Sequence, residues 1–191
     1  MTSRKFALTM VASATILTAC GDSQLLQASL PTANDVYTVF ALTGTPAAYP
    51  SGINTYIRSA VRVDGNANFD VAFDLDQNGN VIVYPVQKIV SSLPSTRRVG
   101  LRLVSQPWDS VNVAPNGTYA DSVLTISTGQ TVVIQASRNT TGDACSFDFS
   151  PYIYAKLRID SVAVPTRTII AETVVDPNCG FKQFTPGIPT K

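Results

Sequence analysis

The chain has 191 residues, of which 45% are hydrophobic and only 14% are charged. This composition is typical of a folded globular protein and excludes a disordered chain or a charge-rich coiled coil. The 14 basic and 13 acidic residues nearly cancel, so the sequence lacks the strong positive charge that nucleic-acid binding requires. The sequence contains no histidine, which excludes Ser-His-Asp and Cys-His catalysis and every histidine-ligated metal site.

The first residues have the layout of a targeting signal. Arg4 and Lys5 precede an uncharged, mostly apolar run at 6–17, which is shorter than the roughly 20 residues of a membrane-spanning helix. The run ends in Leu17-Thr18-Ala19-Cys20. This sequence resembles the lipobox of bacterial lipoproteins, in which a small residue precedes an invariable cysteine.

The lipobox resemblance implies a membrane anchor. It implies cleavage before Cys20, a diacylglyceryl group on the Cys20 sulfur and acylation, for example with palmitate, of the new amine. Each buried methylene contributes about 0.8 kcal/mol and two chains already give stable anchoring, so three chains would hold the protein on a membrane. In the Gram-negative sorting pattern an aspartate after the cysteine favours the inner membrane, so Gly21 favours the outer membrane. The alternative is an ordinary secretory signal with a chance cysteine.

The resemblance divides the chain into three parts. Residues 1–19 are predicted to be the lipoprotein signal peptide, 20–34 the lipidated N-terminus and tether, and 35–191 a single domain that ends in an extended tail. The mature chain of 172 residues carries a net side-chain charge of −1, which gives no strong electrostatic steering of a partner. We expect it in the bacterial cell envelope, with the domain facing the periplasm or the exterior.

The two remaining cysteines are predicted to form a disulfide. Once Cys20 is assigned to the lipid, Cys145 and Cys179 can pair with each other. An exported compartment permits the bond. Two free buried thiols are the alternative, but both cysteines have polar or glycine neighbours rather than apolar ones.

From Val36 onward the hydrophobic pattern has a period of two, which is typical of β-strands. The clearest case is 69–75, where Phe and Val alternate with Asp70, Ala72 and Asp74, and we expect a strand with those aspartates facing solvent. About nine strands are predicted in all, over residues 36–43, 55–63, 69–75, 81–84, 99–104, 122–127, 130–137, 152–160 and 168–175.

These strands are separated by turn clusters rich in glycine, proline and asparagine, and no helical pattern follows the tether. The sequence therefore predicts an all-β fold. The expected architecture is an antiparallel β-sandwich, immunoglobulin-like in its general arrangement. A small closed β-barrel is the alternative.

One short motif suggests a cation site. Asp74, Asp76 and Asn78, followed by Gly79, match the first half of a calcium-binding loop, in which oxygen side chains at alternate positions converge on the ion. The second half of the motif is missing, because its twelfth position is Pro85 instead of a glutamate. The alternative, which we favour, is a β-hairpin that reverses at Asn78-Gly79.

A second candidate is a contact surface on one strand. Tyr152, Tyr154, Lys156 and Arg158 share one strand face, and tyrosine at a binding surface combines a large contact area with a polar group. These side chains could instead simply cover the sheet.

Two further features are structural expectations. The basic cluster of Arg97, Arg98 and Arg102 could meet lipid headgroups or an acidic partner, although a solvated loop is favoured. Residues 176–189 are rich in proline and are predicted to be an extended tail, held by the disulfide, with Phe181 and Phe184 packing on the sheet.

Together these features predict a lipid-anchored, non-catalytic binding or accessory module that docks on another envelope protein or membrane complex, without nucleic acid. No cofactor is expected. The alternative is an envelope hydrolase or a calcium-dependent carbohydrate-binding domain that uses the four side chains Asp70, Asp74, Asp76 and Asn78.

Overall fold

The computed structural model describes residues 27–138, 144–145, 148 and 150–190. These residues contain ten β-strands, all paired antiparallel, and three short 3₁₀ turns. The strands are β1 Ala33–Phe40, β2 Gly52–Asn54, β3 Ser59–Val61, β4 Val71–Leu75, β5 Val81–Pro85, β6 Val99–Val104, β7 Leu124–Ile126, β8 Thr131–Ser137, β9 Tyr152–Ala163 and β10 Thr168–Asp176.

The strands form two five-stranded sheets. The first sheet has the order β1-β10-β9-β8-β6, and the second has the order β3-β2-β4-β5-β7. One hydrophobic core contains buried residues of both sheets, among them Val39, Ile134 and Leu157 of the first and Ile53 and Phe73 of the second. Because the strands form two separate sheets around a shared core, the β-sandwich prediction is confirmed and the closed barrel is not formed.

Most predicted strands lie within two or three residues of the observed ones, but the segment predicted at 55–63 is broken. The chain turns after β2 and returns as β3. The Asn54 side-chain oxygen accepts hydrogen bonds from the backbone amides of Tyr56 (3.0 Å) and Ile57 (3.1 Å), and Arg58 adopts a left-handed φ of 53°. An asparagine that bonds to the backbone two residues ahead favours a turn, which overrides the strand pattern here.

The prediction that Asp70 and Asp74 face solvent is wrong. All five residues of β4 are buried, and Asp70 just before it is 0% exposed. The alternating pattern of 69–75 correctly indicated a strand, but the face that carries the aspartates is covered by residues distant in sequence.

The outer face of the first sheet is also covered. A second hydrophobic cluster lies there, in which Trp108 and Phe184 pack with Val133, Tyr154 and Val174 of the sheet. Trp108 belongs to the segment after β6, and Phe184 belongs to the tail after β10. The two covering segments are joined by a backbone bridge between Val113 and Gln183.

The disulfide between Cys145 and Cys179 is present, with an S–S distance of 2.04 Å. It connects the segment between β8 and β9 to the tail that follows β10. Among the residues that the structure describes, no helix is both long and apolar enough to span a membrane.

Candidate functional site

The predicted calcium loop is the turn of the β4–β5 hairpin. The Asp74 carboxylate accepts hydrogen bonds from the Thr43 hydroxyl (2.9 Å) and the Arg167 guanidinium (2.8 Å). Asp76 Oδ1 instead accepts from the backbone amides of Asn78 and Asn80, each at 2.8 Å. The segment therefore forms a β-hairpin that reverses at Asn78-Gly79.

The pKa of Asp76 reflects the hydrogen bonds within this turn. The Asn80 side chain, together with the backbone amides of the turn, lowers the pKa of Asp76 below its ordinary value. Asp74 and Asp76 are thus directed to different internal partners, and the described residues place no further carboxylate beside them to complete a cation site.

A buried charge cluster ties the two sheets together, and we call Asp70, Thr55, Arg97 and Arg138 the Asp70 cluster. Arg97 Nη2 lies 2.6 Å from Asp70 Oδ1, and Arg138 Nη2 lies 2.5 Å from Oδ2. The Thr55 hydroxyl and backbone amide donate to Oδ2 at 2.6 and 2.7 Å. Asp70 precedes β4 of the second sheet, whereas Arg97 precedes β6 and Arg138 follows β8 of the first.

The Asp70 carboxylate is held in its ionised form. Burial raises its pKa, but Arg138, Arg97 and Thr55 together lower it by more, so the net pKa lies below the ordinary aspartate value. Both oxygens are already engaged by donors. A general acid or base needs a proton-transfer position that a substrate can reach, and this enclosed carboxylate offers none.

The predicted basic cluster is divided by the fold. Arg97 is only 7% exposed and belongs to the Asp70 cluster, so it is not part of a surface patch. Arg98 lies at the surface, 3.6 Å from Asp121. Arg102 donates to the Asn116 carbonyl at 2.6 Å. The burial of Arg97 follows from its partner Asp70, which lies 27 residues away in the sequence.

The predicted contact surface is covered at its centre, which corrects the expectation that it faces outward. Tyr154 and Lys156 are 4% and 5% exposed. The Lys156 ammonium donates to the Trp108 carbonyl at 2.9 Å and lies 4.2 Å from the centre of the Trp108 ring. Burial lowers the pKa of Lys156.

The margins of this surface remain accessible in part. Arg158 pairs with Glu172 and with Asp160 (2.8 Å) and lies beside the Trp108 ring. Tyr152, at the start of β9, is only partly buried. The sequence pattern does not predict that Trp108 covers this surface, because its partners there are about 50 residues away along the chain.

An open groove of about 460 Å³ lies next to Tyr152, and we call it the Tyr152 groove. Gln135 of β8 lies in it, and its amide donates to the Tyr154 hydroxyl at 2.8 Å. Tyr119 borders the groove and lies 5.9 Å from the Tyr154 ring. The full lining is Arg98, Val99, Gly100, residues 118–121, Gln135 and Tyr152.

Sequence reasoning singled out Tyr152 and Arg98 separately but did not predict that they line one groove. Its other walls come from β6, β8 and the 118–121 segment, which are separated along the chain. Gly100 carries the one usable signal, because a glycine inside a strand often marks a close backbone approach. A Cβ at Gly100 would lie 2.5 Å from the Tyr119 Cβ.

The remaining cluster of candidate metal ligands is Cys145, Asp148 and Cys179. Both sulfurs are in the disulfide and are not thiolate ligands. Cys20, the predicted lipidation site, lies outside the described residues.

The described residues define a two-sheet antiparallel β-sandwich in which Asp70, Asp74 and Asp76 have internal hydrogen-bond donors, with an open groove beside Tyr152. Comparison with models of protein families, with curated proteins and with solved structures finds no match.

Proposed function

We propose that the protein is a lipid-anchored, non-catalytic binding module of the bacterial envelope. The observation that carries this proposal is Leu17-Thr18-Ala19-Cys20, placed directly after a 12-residue apolar run. The disulfide between Cys145 and Cys179 supports it, because such bonds persist in oxidising, exported compartments.

The internal hydrogen bonds of the carboxylates support a binding function over a catalytic one. Asp70 and Asp74, two of the three carboxylates of the hydrolase alternative, are each bonded to an arginine and a threonine. The third, Asp76, accepts from the backbone amides of its own turn. Their oxygens stabilise the fold, and the chain has no histidine to act as a proton shuttle.

The start of the described chain supports a fixed attachment point for the anchor. The backbone amides of Ser29 and Leu30 donate to the Asn178 side-chain oxygen at 2.9 and 3.0 Å, and the Asn178 amide donates to the Leu30 carbonyl at 2.8 Å. Asn178 adjoins Cys179, which is held by the disulfide. The nine residue steps from Cys20 to Ser29 reach at most about 32 Å, so a lipid on Cys20 would keep this end of the domain near the bilayer.

Intact-mass measurement of the protein extracted from its native membrane tests the anchor. We expect a mature chain that begins at Cys20 and carries the added mass of acyl chains. The Cys20→Ser variant should appear in the soluble fraction, whereas the control Cys145→Ala/Cys179→Ala should stay with the membrane. A native chain that begins elsewhere, or that carries no lipid mass, refutes the anchor.

The partner is proposed to be another envelope protein or membrane complex. Photo-crosslinking in the native membrane, followed by mass spectrometry of the adduct, tests this. A photoreactive residue at Arg158, on the accessible margin of the predicted contact surface and outside the Tyr152 groove, should yield one reproducible partner. The same residue at Tyr49 is the surface control, since Tyr49 is 45% exposed. Identical adducts from both positions would contradict a defined docking surface.

A further inference from the structure

We propose that the Tyr152 groove binds a neutral oligosaccharide without a metal ion. This inference rests on the proposed binding module and gives it a ligand class. It differs from the calcium-dependent alternative, because the groove lies on the first sheet and Asp74 and Asp76 lie in a hairpin of the second.

The first argument is the combination of side chains. Sugar rings present apolar C–H faces and hydroxyl edges, so they are recognised by an aromatic ring beside planar polar groups. Tyr152 supplies a partly exposed ring, and Gln135 supplies an amide at its side. Because the Gln135 amide nitrogen donates to the Tyr154 hydroxyl, its orientation is fixed and its carbonyl oxygen is left to accept from a hydroxyl.

The second argument is charge. The charged side chains of the groove are Arg98 and Asp121, which lie 3.6 Å apart and are 56% and 60% exposed. Their charges cancel, which disfavours a phosphate or carboxylate ligand. A guanidinium and a carboxylate at the rim can, however, donate to and accept from vicinal hydroxyls.

The third argument is the rigidity of the groove. The 118–121 segment is held to β6 by two backbone hydrogen bonds between Leu101 and Ala120, of 2.7 and 2.9 Å. The Tyr119 hydroxyl donates to the Pro115 carbonyl at 2.7 Å. A groove whose walls are already held in place loses little conformational entropy on binding a weakly held ligand such as a sugar.

The fourth argument is position. In the first sheet Ala33 pairs with Val175, Val99 with Ala136, and Ser137 with Tyr152, so the groove lies at the end where the N-terminal tether enters. With the proposed anchor, the groove would lie close to the bilayer. The same sugar chemistry is available there from a glycan polymer or from a glycolipid headgroup.

Calorimetric titration of the full-length protein in detergent micelles, with EDTA present, tests the proposal. The probes are tetrasaccharides of β-1,4-linked N-acetylglucosamine, β-1,4-linked glucose and α-1,4-linked glucose. We expect saturable binding of at least one. The same sugar on a lipid tail then separates the sources: equal affinity indicates a glycan polymer, and tighter binding of the lipid form indicates a glycolipid.

Variants locate the site. Tyr152→Ala should weaken binding by about tenfold, as expected for the loss of one stacking contact, whereas Tyr152→Phe should retain affinity within about twofold. Tyr49→Ala, at the opposite end of the first sheet, should bind like the wild type. Melting curves test whether each variant is folded.

Two results would overturn the groove proposal: no saturable binding of any probe at millimolar concentration, or binding that Tyr152→Ala leaves unchanged. Either result leaves the lipid mass on Cys20 unaffected. Conversely, an unlipidated Cys20 would refute the anchor and leave the sugar titration intact, so the two failures are distinguishable.

Discussion

Asp70 is the residue on which the junction between the sheets depends most. It is the acceptor for two buried guanidiniums that come from the other sheet. Arg97 Nη2 also donates to the Phe69 carbonyl and Arg138 Nη2 to the Asn54 side-chain oxygen, each at 3.0 Å, but among the described residues Asp70 is the one acidic partner of both arginines. A buried ion pair is costly to form but far costlier to break from one side.

Asp70→Asn should therefore lower the free energy of unfolding by about 3–5 kcal/mol, because it removes the carboxylate that is the only counter-ion of both buried guanidiniums in the part of the chain that the structure describes. Urea denaturation measures the loss. Asp35→Asn is the matched control, since the Asp35–Arg58 pair is more exposed and should contribute less than about 1 kcal/mol. Equal losses for the two variants would contradict this account.

The same residue predicts a pH dependence. The pKa of Asp70 is lower in the folded chain than in the unfolded one, so in acid the unfolded state binds more protons. The stabilisation by Asp70 is complete above the ordinary aspartate pKa of about 3.9 and is lost as pH falls through its folded value.

Denaturation of the wild type and of Asp70→Asn as a function of pH measures this contribution. The stability difference between them should be constant near neutral pH and shrink in acid. The buried Asp176 has the opposite tendency, because burial raises its pKa, but it is common to both proteins and cancels in the difference. A difference that grows in acid would refute the assignment.

At the scale of elements, the 118–121 segment can lie against β6 only because residue 100 is a glycine. It pairs with β6 at Leu101, and Tyr119 passes directly over Gly100. Gly100→Ala should displace this segment and destabilise the protein by about 1–3 kcal/mol. Gly65→Ala is the control, because a Cβ there would have no neighbour within 4 Å. Thermal melting compares them, and equal melting temperatures would contradict the close approach.

The β4–β5 hairpin gives a second element-scale prediction. Asp74 and Asp76 are bonded to different internal donors, so calcium would compete with those donors for the carboxylate oxygens. Millimolar calcium should therefore leave the melting temperature unchanged, since a ligand raises it only by binding the native state. A clear rise that Asp76→Asn abolishes would restore the calcium-dependent alternative.

At the scale of the whole molecule, the disulfide fastens the tail that covers the first sheet. The bond closes a loop with a sequence separation of 34 residues. Phe184 of the tail packs in the same hydrophobic cluster as Trp108. Cys145→Ala/Cys179→Ala should lower the free energy of unfolding by roughly 3–4 kcal/mol on the chain-entropy model. Chemical denaturation with and without reductant measures this, and an unchanged midpoint would contradict it.

Much of the sandwich was predictable because alternation along a strand is a local property. The period of two identified β6, β8 and β10 within one residue, and the pairing of Cys145 with Cys179 followed from assigning Cys20 to the lipid. The break at 55–58 was missed, because one asparagine side chain redirects the backbone there. The strand pattern does not register such a single contact.

The residue order alone was enough for the all-β class and for most of the turns, since each depends on neighbours along the chain. Which polar side chains are buried was decided only by packing. Asp70 meets arginines 27 and 68 residues away, and Lys156 meets Trp108 from 48 residues away. Burial depends on what covers a face, and long-range pairing of strands and covering segments supplies that cover.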